Sequence, residues 1–413
     1  MPKRILFLSN GHGEDNHSSH IIRSLQELCP EIEIAAMPIV GQGSAYRRLD
    51  IPIIGPTQTL PSGGFTYMNR LLLLKDMQSG LIGLTWRQLR AVQKYAPTCD
   101  LVHATGDQVG QAFAYMSGRP YVSFISPLSA LYEDRLYLGP LISRLLKSPR
   151  CLTVFTRDPF TAENLRQQGL EKVRFGGIPS LDRLVPTGKD LQLQPGKPMV
   201  SLLPGSRLPE AVRNFHLQLQ LVQEIFQRTE EIQFRAALVP DLMQQLPAIA
   251  AAAGWQQDGN RLFLSQQSGT EILCYSDAFN DIVCQTTLVL GMAGLAVDQA
   301  VALGKPVIQV PGAGPQFTYA FAEAQTRLLG LSAQTVGKGP ATAATLRLAA
   351  ERVVETLADP AYLEACKTNG RQRLGPPGAS YRIAQRLLAY LGESAAAAAA
   401  EAAKAKEGEI RPA

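Results

Sequence analysis

The chain has 413 residues and a formal net charge of +5 at pH 7. That length predicts two or three domains. The mild charge, without a dense Lys/Arg tract, argues against nucleic acid as a partner. The six cysteines lack metal-ligand spacing and are expected to be reduced thiols in a cytoplasmic protein. We expect no secretory signal before the first strand, and no apolar run approaches the ~20 residues of a membrane-spanning helix.

Strands and helices are predicted to alternate along the first half of the chain, a pattern typical of parallel sheets covered by helices on both faces. Apolar runs bounded by turn residues predict strands at residues 5–8, 32–39, 101–103, 121–125, 152–155 and 173–175. Apolar residues at helical spacing predict helices at residues 18–28, 86–94, 109–116 and 159–168.

Residues 186–198 are rich in Pro, Gly, Lys and Gln and are predicted to be a linker, after which the alternation starts again. Further strands are predicted at residues 200–203, 234–238, 261–264, 288–290 and 307–310, with helices between them. We therefore predict two α/β domains, residues 1–185 and 199–378, with the active site in a cleft between them. A terminal helix at 379–392 is predicted to pack back on the first domain. The Ala-rich residues 393–413 are a low-complexity tail that we exclude from the fold.

The turn Pro204-Gly-Ser-Arg207 follows a predicted buried strand and precedes a helix. Gly205 and Ser206 let backbone N–H groups approach an anion, and the helix N-terminus adds positive potential. Arg207 can bind phosphate oxygens bidentately. The alternative is that Gly and Ser end the strand for geometric reasons alone.

A second turn, Gly291-Met-Ala-Gly294, follows another predicted strand, and Asp298 lies near the start of the next helix. Parallel strands place both turns at one carboxyl edge, where open α/β sheets bind ligands. The first turn suits a diphosphate, and the second, with its carboxylate, suits ribose hydroxyls. The candidate nucleotide-sugar-binding residues are therefore Gly205, Ser206, Arg207, Gly291, Met292, Ala293, Gly294, Asp298 and, further along the chain, Gln316.

The chain contains four recognisable motifs: Leu203-Pro-Gly-Ser-Arg207 with Glu210, Phe175-Gly-Gly-Ile-Pro179 with Asp182, Phe124-Ile-Ser-Pro127 and Gly291-Met-Ala-Gly-Leu-Ala-Val-Asp298. Together they resemble the motifs of the lipid-A-disaccharide synthases, most of all the related branch known from cyanobacteria and plastid-bearing lineages. Two motifs depart from the family pattern: Ile178 stands where the family has His, and the last motif replaces the family's Ser-Gly-Thr-Ala…Glu.

The resemblance implies a GT-B fold, which is two Rossmann-like domains whose parallel sheets face a central cleft. It also implies a UDP-sugar donor, of the UDP-GlcNAc type, and inverting transfer to a lipid or lipid-like acceptor without a metal or other cofactor. The chain has no Asp-x-Asp pair in a suitable loop, and its five histidines do not cluster, so metal-independent transfer is the expectation from the residues as well. The oligomeric state is not predicted.

The turn Ser9–Asp15 follows the first strand and opens a helix. Gly11 and Gly13 permit positive φ and close approach of a ligand. His12 and Glu14 are candidates for contact with the acceptor or the leaving diphosphate. Alternatively, these are ordinary turn and capping residues. The G-x-G-x-x-G spacing of a dinucleotide site is absent.

Asp107 follows the predicted strand 101–103 and precedes a helix. Inverting transfer needs a base that removes the proton of the acceptor hydroxyl, and the family resemblance places a catalytic Asp in this segment. Asp107 is therefore the predicted general base, with His12 and Glu14 as the other catalytic candidates. The alternative is that Asp107 only caps the following helix. Ser126 is a candidate for the acceptor side, together with Gly11 and Gly13.

Residues 65–94 combine apolar and basic residues with a single acid, Asp76. The apolar set includes residues 71–74, Ile82 and Trp86, and the basic set is Arg70, Lys75, Arg87, Arg90 and Lys94. This composition suits a surface that binds anionic lipid headgroups, although the Leu run also suits a core with a solvated edge. We predict a cytoplasmic protein in peripheral contact with the inner face of a membrane.

Two other functions remain open. A UDP-sugar 2-epimerase would use acidic and His residues around the same nucleotide pocket. A nucleotide-binding GT-B protein with weak or no transfer activity would fit the departures from the family motifs.

Overall fold

A computed structural model of the protein describes residues 2–58, 80–264 and 270–392. The chain forms two compact units. The first runs to Arg183 and resumes at Pro376, and the second is Leu184–Gly375. The Ala-rich tail, 393–413, and residues 65–79 of the predicted membrane-binding segment lie outside the described residues.

The first unit contains a parallel sheet of six strands in the order β2-β1-β3-β4-β5-β6. The strands are β1 (Arg4–Ser9), β2 (Glu33–Pro38), β3 (Leu101–Thr105), β4 (Tyr121–Phe124), β5 (Cys151–Thr156) and β6 (Val173–Phe175). The helices are α1 (His12–Leu28), α2 (Ser44–Arg47), α3 (Leu81–Tyr95), α4 (Gln108–Met116), α5 (Pro140–Lys147), α6 (Pro159–Gln167) and a C-terminal helix, Ala379–Leu391. All six predicted strands are confirmed.

Helices cover both faces of this sheet, so its strands are almost wholly apolar. Successive side chains of a strand point to opposite faces. Leu6 and Leu8 of β1 pack in one core with residues of α3 and α4. Ile5 and Phe7 pack in another core with α1 and the C-terminal helix.

Asp182 joins the C-terminal helix to the first unit. Its Oδ1 accepts hydrogen bonds from the backbone N–H of Gly378 at 2.6 Å and Ala379 at 3.1 Å, and its Oδ2 accepts one from the N–H of Ser380 at 2.6 Å. A carboxylate at this position caps the exposed N–H groups of a helix. Asp182 belongs to the segment that resembles the family's Val-Gly-His-Pro…Asp motif. That segment therefore anchors the C-terminal helix.

The second unit contains eight strands in the order β14-β13-β12-β7-β8-β11-β10-β9. They are β7 (Met199–Leu203), β8 (Gln233–Ala237), β9 (Gln256–Asp258), β10 (Arg261–Phe263), β11 (Glu271–Tyr275), β12 (Leu288–Gly291), β13 (Val307–Gln309) and β14 (Ala333–Thr335). The helices are α7 (Glu210–Phe226), α8 (Pro240–Met243), α9 (Leu246–Ala252), α10 (Phe279–Gln285), α11 (Leu295–Ala302), α12 (Tyr319–Leu329), α13 (Ala343–Leu357) and α14 (Pro360–Leu374). β10 runs antiparallel to β9 and β11, and the other strand pairs are parallel.

Residues 186–198, the predicted linker, fold against the second sheet. The Asp281 carboxylate accepts hydrogen bonds from the backbone N–H groups of residues 187–189 at 2.8–3.1 Å. The buried Arg235 side chain donates to the carbonyl oxygens of Leu191 and Gln192, each at 2.5 Å. These bonds satisfy a buried guanidinium and place the segment in the second unit.

Candidate functional site

Each sheet has a point at which the order of its strands reverses. In the first sheet this point lies between β1 and β3, and in the second it lies between β7 and β12. The loops that leave the carboxyl ends of two such strands turn in opposite directions, and ligands of open α/β sheets bind in the crevice between them. Most of the predicted site residues follow these four strands, whereas Gln316 follows β13 and Ser126 follows β4.

At the second reversal point, the two turns predicted to share an edge do lie side by side. The backbone N–H of Met292 donates to the Leu203 carbonyl at 2.8 Å. The Asn214 side-chain amide donates to the carbonyls of Pro204 at 2.9 Å and Met292 at 3.3 Å. Gly205 has φ +97°, and a Cβ there would lie 3.1 Å from the Met292 carbonyl. The approach of the two turns therefore requires glycine at 205.

Ser206 and Gly294 are exposed and Arg207 is half-buried, whereas Met292 and Ala293 are buried. The turn ends at α7, whose N-cap residue is Pro209. Since proline has no side-chain acceptor, the backbone N–H groups of the first helical turn are not capped by that residue. This is the arrangement that favours an anion near a helix N-terminus.

Asp298 lies in the first turn of α11, at the base of the second glycine turn, with 7% of its surface exposed. The Gln325 side-chain amide donates to Asp298 Oδ1 at 3.4 Å and to the Gly294 carbonyl at 3.0 Å. Gln325 Oε1 in turn accepts from Gln309 at 2.8 Å. A series of buried side-chain hydrogen bonds thus fixes the Asp298 carboxylate. The contact of Asp298 with a ribose stays a prediction.

The loop after β13 brings Gln316 to the same edge. The backbone N–H groups of Gln316 and Phe317 donate to Glu210 Oε1 at 3.0 and 2.8 Å. Glu210 is buried at the start of α7. From the sequence, Glu210 was only a motif position, and its link to the loop after β13 was not predicted.

At the first reversal point, Asp107 lies beside the turn after β1. Its Oδ1 accepts a hydrogen bond from the Asn10 side-chain amide at 2.6 Å and another from the backbone N–H of Val109 at 2.9 Å. Asp107 is therefore the N-cap of α4 and also a neighbour of the turn after β1. Burial raises the pKa of Asp107, and the two hydrogen bonds oppose that shift. Asn10 was not among the site residues predicted from the sequence.

Glu14 and His12 lie in the same loop cluster. A Cβ on Gly106 would lie 3.4 Å from Glu14 Cγ, and a Cβ on Gly41, whose φ is +84°, would lie 2.7 Å from the His12 ring. The expected positive φ at Gly11 and Gly13 was wrong, since Gly11 is extended with φ 179° and Gly13 lies within α1. α1 begins at His12 and not at the predicted residue 18. The chain turns into the helix through extended backbone, and the glycines with positive φ stand in the neighbouring loops.

A buried polar network underlies this turn. The Ser9 hydroxyl donates to Asp15 Oδ1 at 2.5 Å, and the Tyr46 hydroxyl donates to Ser9 Oγ at 2.6 Å. All three residues have essentially no exposed surface. Burial raises the pKa of Asp15 to about 7. The network joins α2 to the end of β1 and was not predicted, because Asp15 was interpreted only as a capping residue.

Ser126 is buried after β4, the strand next to β3. Its hydroxyl makes no hydrogen bond within the described part of the chain. Within these residues, Ser126 therefore makes no side-chain hydrogen bond to Asp107 or His12.

Three curated proteins resemble the chain in sequence, and each is named lipid-A-disaccharide synthase. The Geobacter metallireducens protein is 23% identical over 413 residues, 95% of this chain and 98% of that protein. The Alkalilimnicola ehrlichii protein is 24% identical over 336 residues, 74% and 75% of the two chains. The Geobacter sulfurreducens protein is 27% identical over 252 residues, 57% of this chain, and the chain spans only 61% of that relative.

The chain is related to the lipid-A-disaccharide synthases. No family model matches it.

Solved structures similar to this chain establish its fold. UDP-GlcNAc 2-epimerase from Neisseria meningitidis, bound to UDP-GlcNAc, is 15% identical with a TM-score of 0.57, covering 93% and 99% of the two chains. A putative UDP-N-acetylglucosamine 2-epimerase from Listeria monocytogenes is 14% identical with a TM-score of 0.59, covering 95% and 98%. Acinetobacter baumannii MurG is 14% identical with a TM-score of 0.55, covering 93% and 98%. The fold is GT-B.

Helix α3 belongs to the described part of the predicted membrane-binding segment. Leu84, Leu89 and Val92 face the core, whereas Ile82 is 67% exposed and Trp86 is 56% exposed. Arg87, Arg90 and Lys94 are also exposed, and the Arg90 guanidinium lies 5.1 Å from the centre of the Trp86 ring. None of the helices within residues 2–58, 80–264 and 270–392 combines the length and apolar character of a membrane span.

In the same described ranges, no group of three or more His, Cys, Asp or Glu side chains is placed to hold a metal ion. Metal-independent chemistry stays a prediction.

Proposed function

We propose that this protein is an inverting glycosyltransferase that moves a sugar from a UDP-sugar, of the UDP-GlcNAc type, to a lipid or glycolipid acceptor. The observation that carries the proposal is the sequence relationship to lipid-A-disaccharide synthases, which in one relative extends along 95% of the chain. The relatives of similar sequence are named lipid-A-disaccharide synthases, whereas the epimerases are similar only in fold. The relationship therefore favours transfer over epimerisation.

The second unit is the proposed donor-binding unit. Arg207 and the backbone N–H groups of the adjacent turn would bind the diphosphate, and Asp298 would accept from the ribose hydroxyls. Gly205 supports this assignment, because it brings the first turn against the second without a Cβ in the way. Gln316, held at the same edge by Glu210, would contact the sugar or the uridine.

Asp107 is the proposed general base. In inverting transfer, the acceptor hydroxyl oxygen attacks the anomeric carbon, the bond from that carbon to the diphosphate oxygen breaks, and a base takes the hydroxyl proton. A raised pKa makes Asp107 a stronger base than an ordinary carboxylate. Arg207 and helix-terminal N–H groups would stabilise the charge on the departing diphosphate.

The exposed face of α3 supports peripheral contact with an anionic membrane, where a lipid acceptor would lie. Ile82 and Trp86 offer an apolar and aromatic surface, and Arg87, Arg90 and Lys94 surround it with positive charge. Vesicle co-sedimentation tests this part of the proposal. Trp86→Ser together with Ile82→Ser should weaken binding to anionic vesicles several-fold, whereas Leu348→Ser, at an exposed apolar residue of the second unit, should not.

Product analysis tests the whole proposal. The purified protein is incubated with radiolabelled UDP-GlcNAc and a membrane lipid extract from its source. Release of UDP with label in a lipid product is the expected result. Inversion at C2 of the sugar would instead identify a UDP-sugar 2-epimerase, and binding without turnover would identify a nucleotide-binding protein without transfer activity.

A further inference from the structure

Helix α7 carries three buried polar residues at intervals of four positions: Glu210, Asn214 and Gln218. Residues four apart lie on one face of a helix. A polar side chain loses free energy on burial unless it finds hydrogen-bond partners. A stripe of this kind on an otherwise apolar face therefore needs a specific set of partners.

Each residue of the stripe bonds to a different part of the sheet edge. Gln218 donates to the carbonyl of Leu290, near the end of β12, at 2.9 Å. Asn214 donates to the Pro204 and Met292 carbonyls, and so connects the two glycine turns. Glu210 accepts the N–H groups of Gln316 and Phe317 from the loop after β13. One helix face thus joins all three loops of the proposed donor site.

The contact between Glu210 and the loop 311–317 is unusually close. A Cβ on Gly314 would lie 2.3–2.5 Å from the carboxylate atoms of Glu210. The loop is closed upon itself by a hydrogen bond from the Gly312 N–H to the Phe317 carbonyl at 2.9 Å. A larger residue at 314 would have to displace either the loop or the carboxylate that holds it.

We propose that Glu210 is a positioning residue that holds the loop 311–317 over the two glycine turns and so preforms the nucleotide-sugar site. This inference rests on the function proposed above. A carboxylate that accepts two N–H groups forms charge-assisted hydrogen bonds, which are stronger than neutral ones. A loop ordered before binding does not have to lose its conformational freedom when the ligand arrives. Glu210 is therefore expected to raise donor affinity by ordering the loop.

Two measurements on one set of variants test the role. Amide hydrogen exchange by mass spectrometry on peptides covering 311–318 reports whether the loop is held, and calorimetry with UDP and UDP-GlcNAc reports the affinity. Glu210→Ala should speed exchange of the loop about tenfold or more and raise the Kd for UDP-GlcNAc about 10- to 100-fold. Glu210→Gln keeps an acceptor oxygen and should restore most of both properties. Glu224→Ala is the matched control, since it removes a carboxylate from the same helix that pairs with Arg228, and it should change neither.

Gly314→Ala perturbs the same contact from the loop side and leaves α7 unaltered. It should reproduce both effects of Glu210→Ala, and it guards against a Glu210 variant that does not fold. If the variants have a lower melting temperature but the folded molecules bind with unchanged affinity, the role of Glu210 is purely structural and the proposal is overturned. Unchanged loop exchange in Glu210→Ala would overturn it as well. If the parent protein binds neither UDP nor UDP-GlcNAc, the proposed function and this role of Glu210 are both overturned. If the parent binds them and both variants bind with the same affinity, only the role of Glu210 is overturned.

Discussion

Asn10 donates its side-chain amide to Asp107 Oδ1 at 2.6 Å, and this bond joins the loops on the two sides of the first reversal point. The same oxygen accepts a hydrogen bond from the Val109 N–H, so one carboxylate caps helix α4 and also binds the turn after β1. Capping alone does not require Asn10. The bond therefore fixes the Asp107 side chain beside the turn after β1, at the carboxyl edge of the sheet.

Asp107→Asn separates catalysis from capping. Asn caps a helix about as well as Asp but does not accept the proton, so turnover should fall by ~10²–10⁴-fold with donor affinity retained. Steady-state kinetics and calorimetry measure the two quantities. Asp359→Asn is the control, because Asp359 caps α14 in the second unit and its substitution should leave turnover unchanged. Activity of Asp107→Asn within a few-fold of the parent would remove Asp107 from the mechanism and direct attention to His12 and Glu14.

Asn10→Ala removes one of the two hydrogen bonds that lower the pKa of Asp107. The pKa of the base should therefore rise further. Since a general base acts only when deprotonated, the acid limb of the kcat/KM profile should move to higher pH. The measurement is the pH–rate profile of parent and variant. A profile of unchanged shape with uniformly lower activity would show that Asn10 has only a structural role.

Arg207→Ala tests the proposed diphosphate contact. The loss of a charge-assisted, bidentate bond should weaken UDP binding by ~1.5–3 kcal/mol, as measured by calorimetry. Arg228→Ala is the matched control, since it removes a cation from the other end of α7, where Arg228 pairs with Glu224 and Glu351. Equal UDP affinity in Arg207→Ala and the parent would contradict the role of the first glycine turn.

Much of the architecture could be predicted because buried parallel strands produce long apolar runs. Three strands escaped prediction. β9 and β14 are three-residue strands with the sequences Gln-Gln-Asp and Ala-Gln-Thr, and such polar strands at sheet edges have no hydrophobic periodicity. β11, Glu-Ile-Leu-Cys-Tyr, was missed although it is a mostly buried apolar run. The meeting of the two glycine turns could be predicted because parallel strands align their carboxyl ends. Links such as Asn10–Asp107, between residues 97 positions apart, could not, because tertiary packing alone brings them together.

Asp298→Asn distinguishes a ribose contact from a structural residue. Asn keeps an oxygen that accepts from Gln325, so the melting temperature should change little. An amide is a weaker acceptor for two ribose hydroxyls than a carboxylate, so the apparent KM for the donor should rise about tenfold. Donor titrations and thermal unfolding of the same preparation give both values. A lower melting temperature with unchanged KM would assign Asp298 to the fold alone.

Asp15 makes the stability of the first unit depend on pH. The pKa of Asp15 is raised from 3.8 to about 7 because burial disfavours its charged form. Between these values the unfolded chain loses the proton while the folded protein retains it, so the free energy of unfolding falls as the pH rises. The loss of unfolding free energy caused by Asp15 is absent below about pH 4 and complete above about pH 7, where it amounts to roughly 2–4 kcal/mol.

Asp15→Asn keeps a neutral acceptor for the Ser9 hydroxyl at every pH. The variant should gain stability relative to the parent as the pH rises from 5 to 8, and the measurement is the difference in thermal midpoint across that range. Asp100→Asn is the opposite control. The pKa of Asp100 is lowered, chiefly by the hydrogen bond from the Arg4 N–H, so Asp100 stabilises the fold above its unfolded pKa and its loss should destabilise the protein near neutral pH. A stability difference between Asp15→Asn and the parent that does not vary with pH would show that the buried carboxyl does not titrate in this range.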